Sequence, residues 1–317
     1  MSPGLTTADT RVHRALVHRA NEQEILVSPP WRAAAGEFGA ATVTTAVSPY
    51  YRDHPGTHLL DMLLLIEACR QAALSAAHEF EGLSNDIAFF FNSIDMEITG
   101  LESLAGAGGE LTIATVFEQL RLRADGSPKQ IEYAQQGSDA SGRPVLRTSM
   151  AVQGVPKQRY QELRAYQRSG SIPPTTAGLR TDAGRRAGLS APERVARRLD
   201  ANVVLADVRA EAGGLSAVLA PDFGNTSLFD HDYDHYPAMV LIEAGRQLAL
   251  LGTEHPAGQV VTAVRATFAQ FAELDAETRV VSSRREQWVD VECVQGDLVV
   301  TRMSFQLAPI GPKGGTP

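Results

Sequence analysis

The feature that most restricts how this chain can fold is an internal repeat. Near the start, Val17-His18-Arg19 is followed after five residues by Ile25-Leu26-Val27, and Val195-Ala196-Arg197 is followed at the same interval by Val203-Val204-Leu205. Asp53-His54 with His58 returns as Asp230-His231 with His235, both reading D-H-x-x-x-H. Each is followed by E-A-x-R-Q, as Glu67-Ala68-Cys69-Arg70-Gln71 and as Glu243-Ala244-Gly245-Arg246-Gln247, with phenylalanines beyond at Phe89-Phe90-Phe91 and at Phe268 and Phe271. A unit written twice in one order folds twice in one way, so two like domains are expected, each opening on its apolar triplet as a strand. Length agrees, because 317 residues exceed what one hydrophobic core usually serves.

The two copies map to residues 13–166 and 195–308. Between them, 167–194 is rich in Pro, Gly, Ser, Thr and Arg, including Pro173-Pro174 and Arg185-Arg186, and is expected to be a solvated linker. Residues 1–12 and 309–317 look like frayed tails. With 44% hydrophobic and 21% charged residues the chain can build a packed core. A formal charge of −8 opposes non-specific binding to nucleic acid or anionic lipid, so an anionic ligand must be held by local groups. Two cysteines, Cys69 and Cys293, are too few for a disulfide framework, and Met1 to Arg14 contains no signal-peptide core. A cytoplasmic protein that neither spans nor binds a membrane is expected.

In the first copy Leu63, Leu64, Ile66, Cys69, Ala73 and Leu74 surround most of a helical wheel from Asp61 to about His78, which marks a buried helix capped by Asp61. The second copy repeats it from Pro237 to Leu251, with Gly252 as the stop. Elsewhere Leu111, Ile113, Thr115 and Phe117 alternate with other residues, as do Val289, Val291 and Cys293; Asp125-Gly126, Ser141-Gly142 and Gly296-Asp297 suit hairpin turns. One buried helix followed by antiparallel strands, twice over, implies an α+β fold in which each curved sheet wraps its long central helix.

Ala15-Leu16-Val17-His18-Arg19, the paired E-A-x-R-Q motifs and Asp234-His235-Tyr236-Pro237-Ala238-Met239 together resemble the A-factor biosynthesis (AfsA) family, over about His13 to Leu307. The family's second motif usually reads D-H-V-P-G-M, so Tyr236 and Ala238 are departures at the helix entrance that reshape the acyl channel. The resemblance implies a double hotdog fold. It also implies transfer of a β-ketoacyl group from acyl carrier protein to dihydroxyacetone phosphate, giving an ester that closes to a butenolide on the way to a γ-butyrolactone signal. The alternatives are a hotdog thioesterase or dehydratase, and a non-catalytic acyl-ligand binder. Dehydration is disfavoured, because the histidine position of the related dehydratases falls near Asp53.

Glu67 and Arg70 lie i,i+3 on one helix face, with Gln71 beside them, and Glu243, Arg246 and Gln247 repeat the arrangement. A buried carboxylate needs a cationic partner, and the partner keeps it ionised, so each Glu is a candidate base for a hydroxyl. Each Arg offers a donor fork for phosphate or a developing oxyanion. Such a pair standing alone is ordinarily a structural pin; with the resemblance, Glu67, Arg70, Glu243 and Arg246 become the candidate catalytic residues, one pair at the mouth of an apolar cavity in each half. Gln71, Gln247, His58 and His235 are the candidate substrate-binding residues. No zinc spacing, phosphate loop or nucleophile elbow occurs, Gly106 to Gly109 reads as a turn, and no metal or redox cofactor is called for. Cys69 reads as a packed thiol, and the phenylalanines as core with some lining an acyl tunnel. Dimerisation of the whole chain is left open.

Overall fold

A computed structural model describes residues 10–34, 36–43, 47–56, 58–106, 110–180 and 186–310. Most of the two expected tails, residues 107–109 of the glycine turn, and Arg185 lie outside the described residues. Among the described residues, twelve strands form one continuous antiparallel sheet. The first half supplies β1 (Trp31–Arg32), β2 (Glu37–Ala41), β3 (Ile87–Ile98), β4 (Thr112–Leu122), β5 (Pro128–Ser138) and β6 (Pro144–Pro156). The second supplies β7 (Leu205–Glu211), β8 (Gly214–Leu219), β9 (Gln259–Phe268), β10 (Arg279–Arg285), β11 (Trp288–Gln295) and β12 (Leu298–Pro309). Their order is β1-β2-β4-β5-β6-β3-β9-β12-β11-β10-β8-β7, so the second half repeats the first in reverse about the β3–β9 pair. Ser93 faces Thr267 and Glu97 faces Ala263 across that seam. The fold is the double hotdog.

Period-two patterning explains the strands: along β11, Val289, Val291 and Cys293 are buried while their neighbours are half-exposed. The hairpins turn at Gly126 (φ 78°) and Gly142 (φ 81°), left-handed positions where a side chain is costly. The first central helix, Met62–Phe80, starts where Asp61 Oδ1 accepts from Leu63 N at 3.0 Å, and all of Met62–His78 but Arg70 is buried. The second, Ala238–Leu251, is buried from Val240 onward. There a Cβ on Gly245 would lie 2.7 Å from Phe305 and 2.8 Å from Met303, so the helix approaches its sheet closely.

Two expectations change. Ile25–Val27 is not a strand: Val27 makes one isolated bridge to Thr42, and Leu26 N donates to the Gln71 side chain at 2.8 Å. A helix amide satisfies the backbone that a sheet neighbour was expected to satisfy. The segment read as a solvated linker is strapped to the second half. Helix Lys157–Gln167 precedes it and buries Arg164 between Asp234 (3.0 Å) and Glu273 (2.7 Å). Arg168 meets Glu273 and Asp275, each at 2.6 Å, and Thr176 is fully buried, its N donating to Tyr233 O at 2.9 Å. Arg168 and Arg186 of the expected linker both find acids in the other half, Arg186 meeting Asp222 at 3.1 Å.

The first residue of each D-H-x-x-x-H motif crosses between halves. Asp53 accepts from Arg198 N (2.9 Å), Leu199 N (3.3 Å) and Asn202 Nδ2 (2.8 Å); Asp230 accepts from Ala20 N at 3.0 Å and pairs with Arg19 at 3.2 Å. Asp53→Ala leaves one buried and two part-buried donors without an acceptor and is expected to lower unfolding free energy by about 3 kcal/mol in urea titration. Glu292→Gln, at an exposed pair with Arg302, should change it by no more than about 0.5 kcal/mol. Gly245→Val should cost about 2 kcal/mol or more by overpacking against Phe305 and Met303, read as a lowered melting temperature, whereas Cys69→Ala should cost less.

Candidate active site

Each central helix carries the same polar knot. Glu67 Oε1 accepts from Arg19 Nε (2.9 Å), Arg70 Nη2 (2.7 Å) and Gln71 Nε2 (2.6 Å), and Oε2 accepts from Arg70 Nε (2.8 Å). Arg70 Nη2 also donates to Val17 O at 2.9 Å, and Gln71 Nε2 to Glu24 O at 2.6 Å. In the second half Glu243 accepts from Arg197 (2.9 Å), Arg246 (2.7 and 2.8 Å) and Gln247 (2.6 Å), while Gln247 binds Asn202 O and Val204 N. Both carboxylates are fully buried. The two knots match contact for contact, which is why the motif had to recur with its leading V-x-R segment.

Burial alone would raise the Glu67 carboxyl, but Arg19 and Arg70 outweigh it and hold the group at about 2. Arg197 and Arg246 do the same for Glu243, also at about 2. A carboxylate so acidic, with both oxygens engaged by guanidinium and amide donors, is a poor proton acceptor near neutral pH. The geometry therefore gives Glu67 and Glu243 the work of fixing arginines in place of the base role read from sequence. Gln71 and Gln247 likewise spend both ends of their amides on the backbone and the glutamates, which leaves them no polar atom for a substrate.

The two arginines differ. Arg70 is 17% exposed and Arg246 3%. Among the described residues no partner meets Nη1 of Arg70, and this arginine lines a hollow of about 60 Å³. Leu74, Phe89, Phe90, Phe91 and Tyr133 form much of the rest of its wall. A second hollow of about 240 Å³ adjoins it through shared Ala77, Phe117 and Ile131 and opens past Phe38, Leu83 and Leu120. Arg246 lines neither. In the first half Arg70 thus lines a hollow, while in the second Phe305 and Met303 crowd Gly245 and the buried Tyr236 ring stacks on Phe223 at 6.1 Å.

Of the remaining candidates, His58 opens a short 3-10 turn, His58–Leu60, and its side chain lies outside the described residues. His235 Nδ1 is 2.7 Å from Asp234 Oδ1 and 3.3 Å from Tyr160 Oη, with Phe271 edge-on at 4.7 Å. Phe90, on the Arg70 hollow, stands 6.1 Å from the same ring. His54 Nδ1 accepts from Gly56 N and His231 pairs with Asp230; no group of three metal-binding side chains gathers among the described residues. Burial pushes the Cys69 thiol up to about 12, against any nucleophilic use. Sequence reasoning missed Arg19 and Arg197 as the second cations of each knot. The repeated V-x-R was visible, and one buried carboxylate facing two arginines was the arrangement it foreshadowed. It also missed Asp234 and Tyr160 around His235, and the pair His18 and His78.

The sequence pattern of the A-factor biosynthesis hotdog domain matches residues 2–152 and 182–310. Among curated proteins, the 2-oxo-3-(phosphooxy)propyl 3-oxoalkanoate synthase of Streptomyces griseus is 29% identical over 268 residues, covering 81% of this chain and 80% of that one. The protein of the same description from Streptomyces coelicolor is 29% identical over 272 residues, covering 84% and 79%. Among solved structures, the 12:0-ACP thioesterase from Umbellularia californica aligns with a TM-score of 0.50 at 9% identity, over 88% of this chain and 100% of that one, a likeness of fold alone. No described helix is long and apolar enough to cross a membrane. With the pattern matched across both halves, the chain belongs to the A-factor biosynthesis hotdog family.

Proposed function

We propose that this protein is an acyltransferase joining a β-ketoacyl thioester, carried by acyl carrier protein, to dihydroxyacetone phosphate. The observation that carries the reading is Arg70: its Nε and Nη2 are locked on Glu67 and Val17, its Nη1 meets no partner among the described residues, and the residue lines an apolar hollow. A guanidinium held in that way is a preorganised donor, and a donor already aimed needs no reorganisation when negative charge develops. The synthase names of the relatives, with their phosphooxypropyl and oxoalkanoate parts, support the choice of both substrates.

The β-ketoacyl chain lies in the two adjoining hollows, with its carbonyl toward Arg70. The hydroxyl oxygen of the triose attacks that carbon and loses its proton to solvent water as the C–O bond forms. Arg70 Nη1 donates to the resulting oxyanion, which collapses by breaking the C–S bond. The carrier thiolate leaves and takes up a proton. The β-ketoacyl ester then closes by intramolecular condensation, losing water, to the butenolide skeleton of γ-butyrolactone signals. Glu67 and Arg19 act as positioning residues, Glu243 and Arg246 hold the second helix, and His235 with Asp234 faces the Phe90 side of the hollow as a substrate contact.

With β-ketoacyl thioesters of several chain lengths and dihydroxyacetone phosphate, mass spectrometry should show a phosphorylated ester or butenolide. Free acid or an enoyl product instead would assign a thioesterase or dehydratase, and tight binding without turnover a ligand binder. Arg70→Lys keeps the charge and loses the fork, so kcat/KM should fall by about 100-fold or more. Arg246→Lys should lower the melting temperature and leave turnover per folded molecule within a few-fold. Equal activity losses in the two variants would contradict the assignment of the reaction to the first half.

A further inference from the structure

The two halves differ at the far end of the central helix, and the differences meet at the outer hollow. The helices start at matched positions, Met62 and Ala238, but the first runs on to Phe80 while the second stops at Leu251, so residues 76–80 have no helical counterpart. Within that added turn Ala77 is buried and belongs to the walls of both hollows, and Phe80 stacks on Phe38 at 5.2 Å with Arg32 4.8 Å above it. Strand β4 departs from its counterpart in the same place. Its register with β5 slips between Phe117, opposite Tyr133, and Gln119, opposite Glu132, which makes Glu118 the extra residue of a bulge. Residues three apart on a regular strand point to opposite faces; the extra residue brings Phe117 and Leu120 to one side, and both line the outer hollow. In the second half β10 keeps one register with β11 from Arg279 to Arg285.

Along the first helix Arg70, Leu74, Ala77 and Glu81 follow one another on a single stripe. Arg70 and Leu74 line the inner hollow, Ala77 lines both, and the exposed C-cap Glu81 lines the outer one alone. The hollows are thus consecutive stretches of one trough, about 60 Å³ beside Arg70 and about 240 Å³ beyond, joined at Ala77 of the helix and Phe117 and Ile131 of the sheet. A helix rises about 1.5 Å per residue, so this neck lies about 10 Å along the axis from Arg70 and Glu81 about 16 Å. Carbon–carbon bonds of about 1.5 Å at about 111° advance an extended chain by about 1.25 Å per carbon. Measured from a carbonyl at Arg70, the neck stands at about the eighth carbon and the trough ends at about the thirteenth.

We propose that Ala77 and Phe117 form the gate that sets acyl chain length: chains longer than about eight carbons cross it into the outer hollow, and chains beyond about thirteen gain nothing more. That the chain belongs to a β-ketoacyl thioester rests on the function proposed above; its course along the helix does not. Most of the room for methylenes lies past the neck, so a tail that crosses it buries the apolar surface that a short one leaves in water. Alanine at position 77 leaves the helix side of the passage open, because its side chain ends at Cβ. On the sheet side the Phe117 ring is braced by Phe38 at 5.6 Å and by Tyr133, edge-on at 6.1 Å, which holds the wall in place. A larger group on either wall therefore closes the passage.

The test uses the full-length protein and a series of β-ketoacyl pantetheine analogues, six to fourteen carbons long, in which a methylene replaces the sulfur, so that calorimetry reads binding without transfer or hydrolysis. In the wild type each methylene added up to about thirteen carbons should tighten binding by up to about fourfold, with no gain beyond. Ala77→Leu narrows the neck from the helix and Phe117→Trp from the sheet. In both, the gain should stop at about eight carbons: the twelve-carbon analogue should bind about thirtyfold or more weakly, and the six-carbon analogue within about threefold of wild type, which also verifies folding. Wild-type affinity that ignores chain length, a twelve-carbon analogue unaffected in both variants, or equal losses at every length, as expected if the outer hollow held the carrier's arm, would overturn the gate. In the transferase assay, unchanged chain preference in both variants rejects the gate alone, whereas the truncated binding profile with no ester or butenolide formed rejects only the function.

Discussion

A glutamate buried in the middle of each central helix, clamped by two guanidiniums and one amide, is the interaction on which the rest of this molecule depends. An ionised carboxylate taken out of water costs several kcal/mol unless partners replace its hydration. Here the partners come from different parts of the chain: Arg70 and Gln71 from the helix, Arg19 from the leading segment, with Arg246, Gln247 and Arg197 doing the same around Glu243. Each knot holds one more cation than anion, and the balance is supplied across the pseudo-twofold axis. Arg19 pairs with Asp230 of the second half at 3.2 Å, and Arg197 with Asp61 of the first at 3.1 Å. Charge neutrality in one core is thus completed by the other, and the β3–β9 seam has an electrostatic counterpart deep inside.

The same frame serves two ends. In the second half it closes around Gly245, Phe305, Met303 and Tyr236, leaving Arg246 almost wholly covered. In the first, the corresponding arginine lines a hollow flanked by three successive phenylalanines, and its Nη1 meets no partner among the described residues. One set of buried contacts thus carries an arginine that lines a hollow in one half and an arginine almost wholly covered in the other. The second half touches one lining residue of that hollow, with His235 against Phe90, while helix Lys157–Gln167 and its buried Arg164 hold the His235 loop in place.

Much of this was legible in the sequence wherever the cause is local. Helix limits followed from apolar coverage and from Asp61 and Pro237, hairpins from their glycines, and the adjacency of Glu67 with Arg70 from helical spacing. Where the cause was remote, the reading strayed. Ile25–Val27 has the composition of a strand, but its backbone bonds to Gln71, more than forty residues away. Arg168 and Arg186 looked solvated because the acids that meet them, Glu273, Asp275 and Asp222, lie far along the chain.

By itself the sequence determined that there are two copies, that each has a buried helix in a curved antiparallel sheet, and that a Glu, an Arg and a Gln share one face of it. Period, turn chemistry and helical spacing act over a few residues and are written in order along the chain. Only the tertiary structure decided what those residues do. Whether a carboxylate is free to take a proton, or an arginine to meet a ligand, depends on which distant donors and acceptors close around it, and here a second arginine arriving from the leading segment turned two apparent bases into anchors and left one guanidinium facing a cavity.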